Sequence, residues 1–273
     1  MHDDLATMPV IRTRRIGGVN RLGLWTLYVR EVRRFLKVYL QTILAPALTT
    51  LLFLVIFIIA LGRQGRMVAG VDFASFLAPG LIAMTIIQNA FANTSSSLVQ
   101  AKVQGTIVDF LMPPLSAGEL VFGFAAGGVT RAIIVGAAVA AAVAAWPGIA
   151  IRPAHGLVFA YFVLSAALML SLVGILTGIW ADKFDHAAAV TNFVVQPLSL
   201  LSGTFYAISA LPPFWQALSH ANPFFYLIDG MRYGMIGVAD GKVALGVVVV
   251  LAINIGLWLG CLWMFRTGYK LKS

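Results

Sequence analysis

The chain has 273 residues, of which 60% are hydrophobic and only 11% are charged, and its net charge is +9. Its mean hydropathy is +0.92, whereas soluble globular domains carry about a quarter charged residues. A soluble core could not absorb this much apolar surface, so the composition excludes an ordinary soluble domain and predicts an all-α integral membrane protein. The excess of Lys and Arg is typical of loops that stay in the cytoplasm and of attraction to anionic lipid, and a nucleic-acid partner is not expected.

The first predicted element is a cytoplasmic arm, residues 1–37, that ends in an amphipathic helix. From Arg21 to Lys37, apolar residues gather on one helical stripe and basic residues on another. This pattern is typical of a helix that lies in the headgroup region. A simple membrane anchor and a mechanical element that moves with a cytoplasmic partner both fit it. No cleavable signal peptide is expected, because the first apolar run is far longer than a signal h-region.

Six apolar stretches are each long enough to cross a bilayer, which needs about 20 residues. Pro46 lies in the first and is expected to kink it, because proline removes one backbone hydrogen bond. With six crossings both termini lie on one side, and most basic residues fall on that side, so both termini are predicted to be cytoplasmic. The predicted spans are 38–62, 73–99, 119–146, 155–180, 187–207 and 243–265, followed by a cytoplasmic tail at 266–273.

Amides and hydroxyls are concentrated between residues 88 and 97, in the second span. So many polar groups cannot face lipid cheaply, so they either join helices to one another or line a transport path. Asn89 and Asn93 are the candidate path residues in this stretch. The third span is rich in glycine, which favours close packing on a neighbouring helix.

Arg131 is a basic residue inside the third predicted span. If that helix starts at Glu119, Arg131 lies about 18 Å along it. An arginine at such a depth costs about 2.5 to 3.5 kcal/mol on insertion scales, so it needs a partner. One interpretation is a buried pair with Asp182, Asp185 or a polar lining, and the other is contact with an anionic cargo headgroup.

The segment between the second and third spans, residues 100–112, is predicted to be a short amphipathic cytoplasmic helix that ends before Pro113 and Pro114. Ser116, followed three residues later by Glu119, has the pattern of a capping box. A connector that lies on the membrane is one interpretation of the segment, and a docking surface for a partner's groove is the other. The apolar face expected to be exposed consists of Ile107, Phe110, Leu111 and Met112.

The region after the fifth span, residues 208–236, is broken by prolines and rich in aromatic residues, which is typical of a membrane interface. It is predicted to lie at the outer side. Asp229 and Arg232 are three residues apart, so on a helix they share a face and can form an ion pair. A role in outward gating or cargo release is the alternative, and the candidate gate residues here are Tyr206, Tyr226, Asp229 and Arg232.

The sequence has none of the motifs of a nucleotide-binding loop, a zinc protease or a serine hydrolase. Cys261 is the single cysteine, so no intrachain disulfide is possible. The histidines have no metal-ligand spacing. We therefore expect no catalytic residue, no metal site and no cofactor bound by this chain.

A set of motifs spread over nearly the whole chain is more specific. The motifs are Phe76-x-x-Pro79-Gly80-Leu81, the stretch from Gln100 to Glu119, Gly127-Gly128-Val129-x-Arg131-Ala132, Asp182-Lys183-Phe184-Asp185, the segment from Leu211 to His220, Asn222-Pro223 and Arg232-Tyr233-Gly234. In this combination the chain resembles the permease subunits of the ABC-2 family of ATP-binding-cassette transporters, in particular inner-membrane permeases of Gram-negative bacteria.

The resemblance implies a half-transporter of six membrane helices with an interfacial N-terminal helix, a cytoplasmic coupling helix at 100–112 and short re-entrant helices at 208–236. It implies a homodimer in the bacterial inner membrane, with separate ATPase subunits that use ATP and magnesium, and outward movement of an amphipathic or lipid-linked substrate. The candidate ATPase-coupling residues, from the matching motifs and the expected docking face, are Gln104, Gly105, Thr106, Asp109, Phe110, Leu111, Pro113, Pro114 and Glu119.

An ATP-independent carrier or channel is the alternative function. Such proteins are expected to show inverted repeats, broken helix pairs or rings of pore-lining charge. The sequence shows no clear repeat and few charges in its spans, so the ATP-driven exporter is favoured.

Overall fold

A computed structural model describes residues 18–61, 67–146, 149 and 153–271 of the chain. Residues 1–17 of the predicted N-terminal arm and the last two residues of the tail lie outside the described residues. So do three basic residues assigned to the outer loops, Arg63, Arg66 and Arg152. Helix dominates the described part of the chain, as the composition predicts.

The helices and strands follow a simple order along the chain. The helices are α1 (Arg21–Leu36), α2 (Ala45–Leu61), α3 (Phe73–Val103), α4 (Val108–Leu111), α5 (Ala117–Ala144), α6 (Gly156–Trp180), α7 (Phe184–Val190), α8 (Gln196–Leu200), α9 (Pro213–Ala221), α10 (Pro223–Ile236) and α11 (Val243–Thr267). An antiparallel hairpin of β1 (Met67–Val68) and β2 (Val71–Asp72) precedes α3. Two π-helical turns, Leu40–Leu44 and Thr191–Val195, lead into α2 and α8, and a 3₁₀ turn, Ile208–Ala210, precedes α9.

Side-chain caps begin several helices, since the first backbone N–H groups of a helix have no partner within it. The caps are Asn20 for α1, Asp72 for α3, Ser116 for α5 and Asn222 for α10. The capping box predicted at Ser116 and Glu119 is confirmed, with both of its reciprocal hydrogen bonds present. Gly237 and Gly268 end α10 and α11 with φ of +76° and +67°, a conformation that glycine adopts without strain.

Five helices among the described residues are long and apolar enough to cross a bilayer. They are Leu40–Ala60, Phe73–Val103, Ala117–Ala144, Gly156–Trp180 and Val243–Thr267, and they coincide within a few residues with five of the six predicted spans. The predicted fifth span, 187–207, is shorter: α7, its π-helical turn and α8 form one helical stretch that ends at Leu200. A turn with Gly203 at a φ of +74° follows it. The count of six crossings therefore stays a prediction.

The disruption expected at Pro46 takes the form of a π-helical turn just before it. Within that turn the N–H of Ala45 donates to the carbonyl of Leu40, five residues back. Because proline has no N–H, a helix around it cannot keep a regular hydrogen-bond ladder. The wider turn at the start of the first span is where the chain absorbs this defect.

Helix α3 is the centre of the bundle and contacts α2, α5, α6 and α10. The most apolar window of α3 is 78% buried, against 17% for the first span and 22% for α11. At its crossing with α6, Thr94 donates a hydrogen bond to the carbonyl of Ser171, at 2.8 Å. A Cβ on Gly174 would lie 2.1 Å from Thr94 Oγ1, so only glycine permits this approach. The first span and α11 thus present apolar outer faces, whereas α3 forms the core.

One end of the bundle, here called the α1 end, contains the start of α1 and the connections at 104–116, 181–183 and 268–271. Long-range hydrogen bonds join these segments to one another and to the helices beside them. At the opposite end, the N–H of His155 donates to the carbonyl of Gly234, which joins the start of α6 to α10. This arrangement agrees with helices that alternate in direction along the chain.

Candidate coupling surface and buried polar cluster

Helix α1 lies along α5 and α3 at one end of the bundle. Leu27 and Phe35 are buried against its neighbours, while Leu22 and Trp25 are 58% and 61% exposed. The helix therefore has one face on the protein and an apolar outer face, as predicted for a helix at a membrane interface.

The predicted coupling helix at 100–112 is divided into two parts in the structure. Its first residues, as far as Val103, are the last turn of α3, and α4 covers only Val108–Leu111. Between them the chain turns at Gly105, whose φ is +70°. The prediction of a single helix over this range is wrong, because the chain turns at Gly105, where φ is positive.

Phe110 is not on the exposed face predicted for it. Its side chain is only 5% exposed, the guanidinium of Arg30 lies 4.0 Å above its ring, and its ring centroid is 5.1 Å from that of Phe124. Ile107 is half-buried. The turn folds back onto α1 and α5, so these two side chains fill the space beneath it and are not part of an exposed face. The apolar side chains that do face outward are Val103, Val108, Leu111 and Met112.

The polar coupling candidates lie around this exposed tip. Gln104, Gly105, Asp109, Pro113 and Pro114 are exposed. Thr106 is half-buried, with its hydroxyl 3.5 Å from the carbonyl of Ala101. The structure thus brings the candidates of residues 104–114 into one surface around α4.

Glu119 is buried and joins three segments of the chain. One carboxylate oxygen accepts the N–H of Ser116 at 2.6 Å, and the other accepts the N–H of Asn20 at 2.5 Å. The amide of Asn20 in turn donates to the carbonyl of Pro114, at 3.3 Å. Glu119 therefore ties the start of α1 to the turn before α5, and it is not available as a surface contact.

A groove of about 640 Å³ runs between α1 and the end of α3. Its basic wall consists of Arg30, Arg33, Arg34 and Lys37, and its other residues include Gln100, Gln104 and Thr106. No acidic side chain of the described part of the chain lines it. The groove opens beside the exposed tip and favours an acidic occupant.

Asp182 holds the ends of three helices together. It accepts from Lys102 at the end of α3 and from Lys270 after α11, each at 2.9 Å. The hydrogen bonds from Lys102 and then Lys270 lower the pKa of Asp182 to about 2, against an opposing effect of its partial burial. Lys102 also donates to the carbonyl of Ala181, at 2.8 Å. Two lysines occupy this carboxylate, so Asp182 is not the partner among the alternatives offered for Arg131.

A polar cluster lies where α1 crosses α3 and α5. Glu31 is fully buried, and its oxygens accept from Ser97 at 2.7 Å and from Arg34 at 3.2 Å. Arg34 also donates to the carbonyl of Asn93 at 2.6 Å and to its Oδ1 at 3.1 Å. A Cβ on Gly127 would lie 2.5 Å from Glu31 Cβ, so this glycine makes the room for the carboxylate.

Arg131 joins the same cluster from α5. Its guanidinium donates to Asn89 Oδ1 at 3.1 Å, so its partner is the polar lining that the sequence offered as one possibility. The hydroxyl of Thr94 donates to the carbonyl of Ser171 in α6, whereas that of Ser95 donates to the carbonyl of Phe91 in its own helix. Most amides and hydroxyls of residues 88–97 thus join helices, and Asn89 and Asn93 bring the arginines of α5 and α1 to one face of α3.

The predicted gate residues lie at the opposite end of the bundle. Asp229 and Arg232 form the expected pair, at 3.7 Å, and Arg232 also lies 3.9 Å from Asp240. Arg232 donates to the carbonyl of Gly203 and its guanidinium lies 4.1 Å above the ring of Phe76. The network holds α10 against α3.

The two predicted gate tyrosines do not enter this network. The hydroxyl of Tyr226 donates to the carbonyl of His220 at 3.0 Å, and that of Tyr206 donates to the carbonyl of Leu200 at 3.3 Å. Both side chains are half-buried and brace the local turns on either side of α9.

Sequence reasoning missed Glu31 and Asp240. Glu31 lies among the basic residues of α1, three positions before Arg34, and that spacing predicts an intrahelical pair. The signal is present in the sequence, but the amphipathic pattern of the helix predicts a surface element, for which a buried carboxylate is not expected. Asp240 lies in a loop with no sequence pattern that points to Arg232.

The helical fold agrees with the result of comparison with known proteins. The profile of the ABC-2 type transporter family matches residues 23–236. The chain belongs to this family of membrane transport components.

Several curated relatives are similar over most of their length. The inner membrane transport permease YadH of Escherichia coli (strain K12) is 35% identical over 253 residues, which cover 92% of this chain and 98% of the relative. Nodulation protein J of Rhizobium leguminosarum bv. viciae is 28% identical over 250 residues, 90% of this chain and 91% of the relative. That of Sinorhizobium fredii (strain NBRC 101917 / NGR234) is 28% identical over 186 residues, 68% and 70%. The chain thus combines several helices of membrane-spanning length with membership of the ABC-2 type transporter family.

Proposed function

We propose that this chain is the transmembrane permease subunit of an ATP-driven exporter, and that a separate ATPase subunit docks on its α1 end. ATP and magnesium are used by that subunit, and this chain binds no cofactor of its own. Two copies of the chain pair in the bacterial inner membrane with both termini in the cytoplasm. The substrate is an amphipathic or lipid-linked molecule that moves outward.

The observation that carries this proposal is the mechanical connection between the exposed tip and the membrane helices. Leu111 and Met112 are 36% and 77% exposed, which is unusual for large apolar side chains at a tip rich in polar residues and favours a partner that covers them. Directly beneath them, Phe110 packs on Phe124 of α5 and under Arg30 of α1. A push on the tip is therefore transmitted to α1 and α5 together.

The hydrogen bonds of Glu119 support the same role. They tie Asn20, at the start of α1, to Ser116, at the start of α5. A buried, doubly bonded carboxylate holds its partners more rigidly than an exposed pair. The start of α1 and the start of α5 thus move as one unit when the tip is displaced.

The groove beside the tip supports an acidic docking segment on the ATPase. Its basic wall on α1 carries Arg30, Arg33 and Lys37. Complementary charge of this kind increases the association rate and fixes orientation more than it adds affinity. We therefore expect docking by apolar contact at the tip, with the acidic segment placed in the groove.

The homodimer is supported by the outer surface of the bundle. The first span is only 17% buried in its most apolar window, and α11 only 22%. Both faces are apolar, with exposed side chains such as Leu52 and Leu251. A second copy covers part of this surface and membrane lipids cover the rest.

The test is purification of the tagged full-length chain from its native host in mild detergent, with the mass of everything that copurifies. The proposal predicts a particle of two permeases and two ATPases. Leu111→Asp should weaken ATPase retention at least tenfold, about 1.4 kcal/mol, because it places a charge in the covered apolar contact. Leu218→Asp is the matched control. It makes the same substitution at an exposed leucine of α9, at the opposite end of the bundle, and should retain the ATPase.

Two outcomes would count against this assignment. A wild-type chain that purifies reproducibly as an intact dimer or monomer without any ATPase favours an ATP-independent carrier or channel. Full ATPase retention by Leu111→Asp would move the docking surface away from the tip.

A further inference from the structure

The polar cluster at the crossing of α1, α3 and α5 carries an excess of positive charge. Glu31 contributes one carboxylate, whereas Arg34 and Arg131 contribute two guanidinium groups. Arg131 forms no ion pair with any described residue, and the charge of Arg34 acts unfavourably on it. Buried charges are normally paired, so this cluster lacks one negative charge.

Its unpartnered polar atoms are all hydrogen-bond donors. Among the described residues, Arg34 Nε, Arg131 Nε and Asn93 Nδ2 are buried without an acceptor. Asn93 is fully buried, and its amide orientation is set because its Oδ1 accepts from Arg34 at 3.1 Å. Buried donors without acceptors are rare in native proteins, and each calls for an explanation. A bound group that carries negative charge provides the acceptor that these three donors lack.

The two arginines bond to neighbouring amides of α3. Asn89 and Asn93 are four residues apart on α3, about 6 Å along the helix, and each Oδ1 accepts from one of the arginines. The two arginines therefore bond to amides that lie about one helical turn apart on α3. A phosphate group accepts charge-assisted hydrogen bonds from donors of this kind.

We propose that the crossing of α1, α3 and α5 is a binding site for a phosphate group, held by Arg34, Arg131 and Asn93. The site is reached from the basic groove, because Arg34 is 27% exposed and lines that groove. An anionic phospholipid and free phosphate share this chemistry.

An adjacent apolar groove indicates the phospholipid as the source of the phosphate. It has a volume of about 440 Å³ and lies between α1 and α5, with Tyr28, Phe122, Val129 and Thr130 among its lining residues. Thr130 directly precedes Arg131 in α5. An acyl chain fits this apolar groove, beside the residue that precedes Arg131.

The test measures which lipids remain on the purified full-length chain by native mass spectrometry, after equilibration in nanodiscs of phosphatidylcholine with phosphatidylglycerol. The wild-type chain should retain phosphatidylglycerol in preference to phosphatidylcholine. Asn93→Asp should lose this retention at least tenfold, because it replaces the Nδ2 donor with a carboxylate oxygen and adds a negative charge that repels phosphate, with almost no change in volume. Arg131→Gln should lose it as well. Arg266→Gln, which removes an exposed arginine of α11, is the matched control and should behave as the wild type.

A second measurement separates the lipid from free phosphate. If no lipid is retained, excess inorganic phosphate should raise the unfolding temperature of the wild type above that in chloride of equal ionic strength, but not that of Asn93→Asp. That result assigns the site to free phosphate. The proposal is overturned if neither probe binds, or if Asn93→Asp and Arg131→Gln bind as the wild type does. No ATPase is needed for either measurement, so failure here leaves the proposed transport function standing.

Discussion

Glu31→Gln tests whether the buried carboxylate of α1 stabilises the bundle. The substitution keeps the shape of the side chain, and the glutamine oxygen can still accept the hydroxyl of Ser97, which lies 2.7 Å away. It removes the negative charge that Arg34 contacts at 3.2 Å. Arg131 is part of the same cluster, so the cluster would then hold two positive charges and no negative one.

The expected cost follows from the geometry of the Glu31–Arg34 pair. Two charges at this distance attract by about 5 kcal/mol at an effective dielectric constant of ~20, and loss of one partner of a fully buried pair typically costs about 3 to 5 kcal/mol. Arg34 is 27% exposed and keeps its hydrogen bonds to Asn93, so solvent recovers part of this loss. We expect Glu31→Gln to lower the free energy of unfolding by about 2 to 3 kcal/mol.

Reversible unfolding of the purified chain in mixed micelles, titrated with a denaturing detergent, measures this free energy. Asp109→Asn is the matched control, because Asp109 is an exposed carboxylate of α4 and its loss should change stability by less than about 0.5 kcal/mol. The double variant Glu31→Gln with Arg34→Gln should cost less than the sum of the two single variants. A Glu31→Gln chain as stable as the control would refute the pairing.

Three further predictions concern packing and charge elsewhere in the bundle. Phe110→Ala should destabilise the chain by about 3 kcal/mol through the cavity it leaves. Met112→Ala, at an exposed position, should not destabilise it. Equal effects of the two variants in thermal unfolding would contradict the burial of Phe110. Gly174→Ala should cost about 1 to 3 kcal/mol, because its Cβ would meet the Thr94 hydroxyl at 2.1 Å, whereas Gly256→Ala, with open space around it, should be neutral in the same assay. The pKa of Asp182 in the folded chain is lowered to about 2 from 3.8, so its contribution to stability is present above pH ~4 and is lost as pH falls through about 2. The difference in unfolding temperature between the wild type and Asp182→Asn should therefore shrink over that interval. A constant difference would be the contrary result.

The positions of the membrane helices could be predicted from the sequence because they depend on local properties. A span needs a run of apolar residues of the right length, and five such runs are helices with nearly the predicted bounds. The capping box at Ser116 and Glu119 was predictable for the same reason, since its two partners are three residues apart. The end of the predicted fifth span, 187–207, does not match, because its composition does not reveal the turn that begins after Leu200.

The coupling segment shows where local reasoning fails. Amphipathic spacing predicted one helix over 100–112 with Phe110 on its exposed face. The positive φ at Gly105 instead turns the chain, and Phe110 finds Arg30 and Phe124 beneath it. Whether an apolar side chain on a short helix faces outward depends on what the rest of the fold places under it, which its own pattern does not contain.

By itself, therefore, the sequence determined that this protein is a helical membrane protein, where its main spans lie and to which family its motifs belong, because length, hydropathy and short-range spacing are properties of neighbouring residues. Only the tertiary structure decided the partners of the buried charges. Arg131 bonds to Asn89, Asp182 is held by Lys102 and Lys270, and Glu31 is buried against Ser97. These partners are far apart in the chain, and they meet only because the crossing and rotation of the helices bring their faces together.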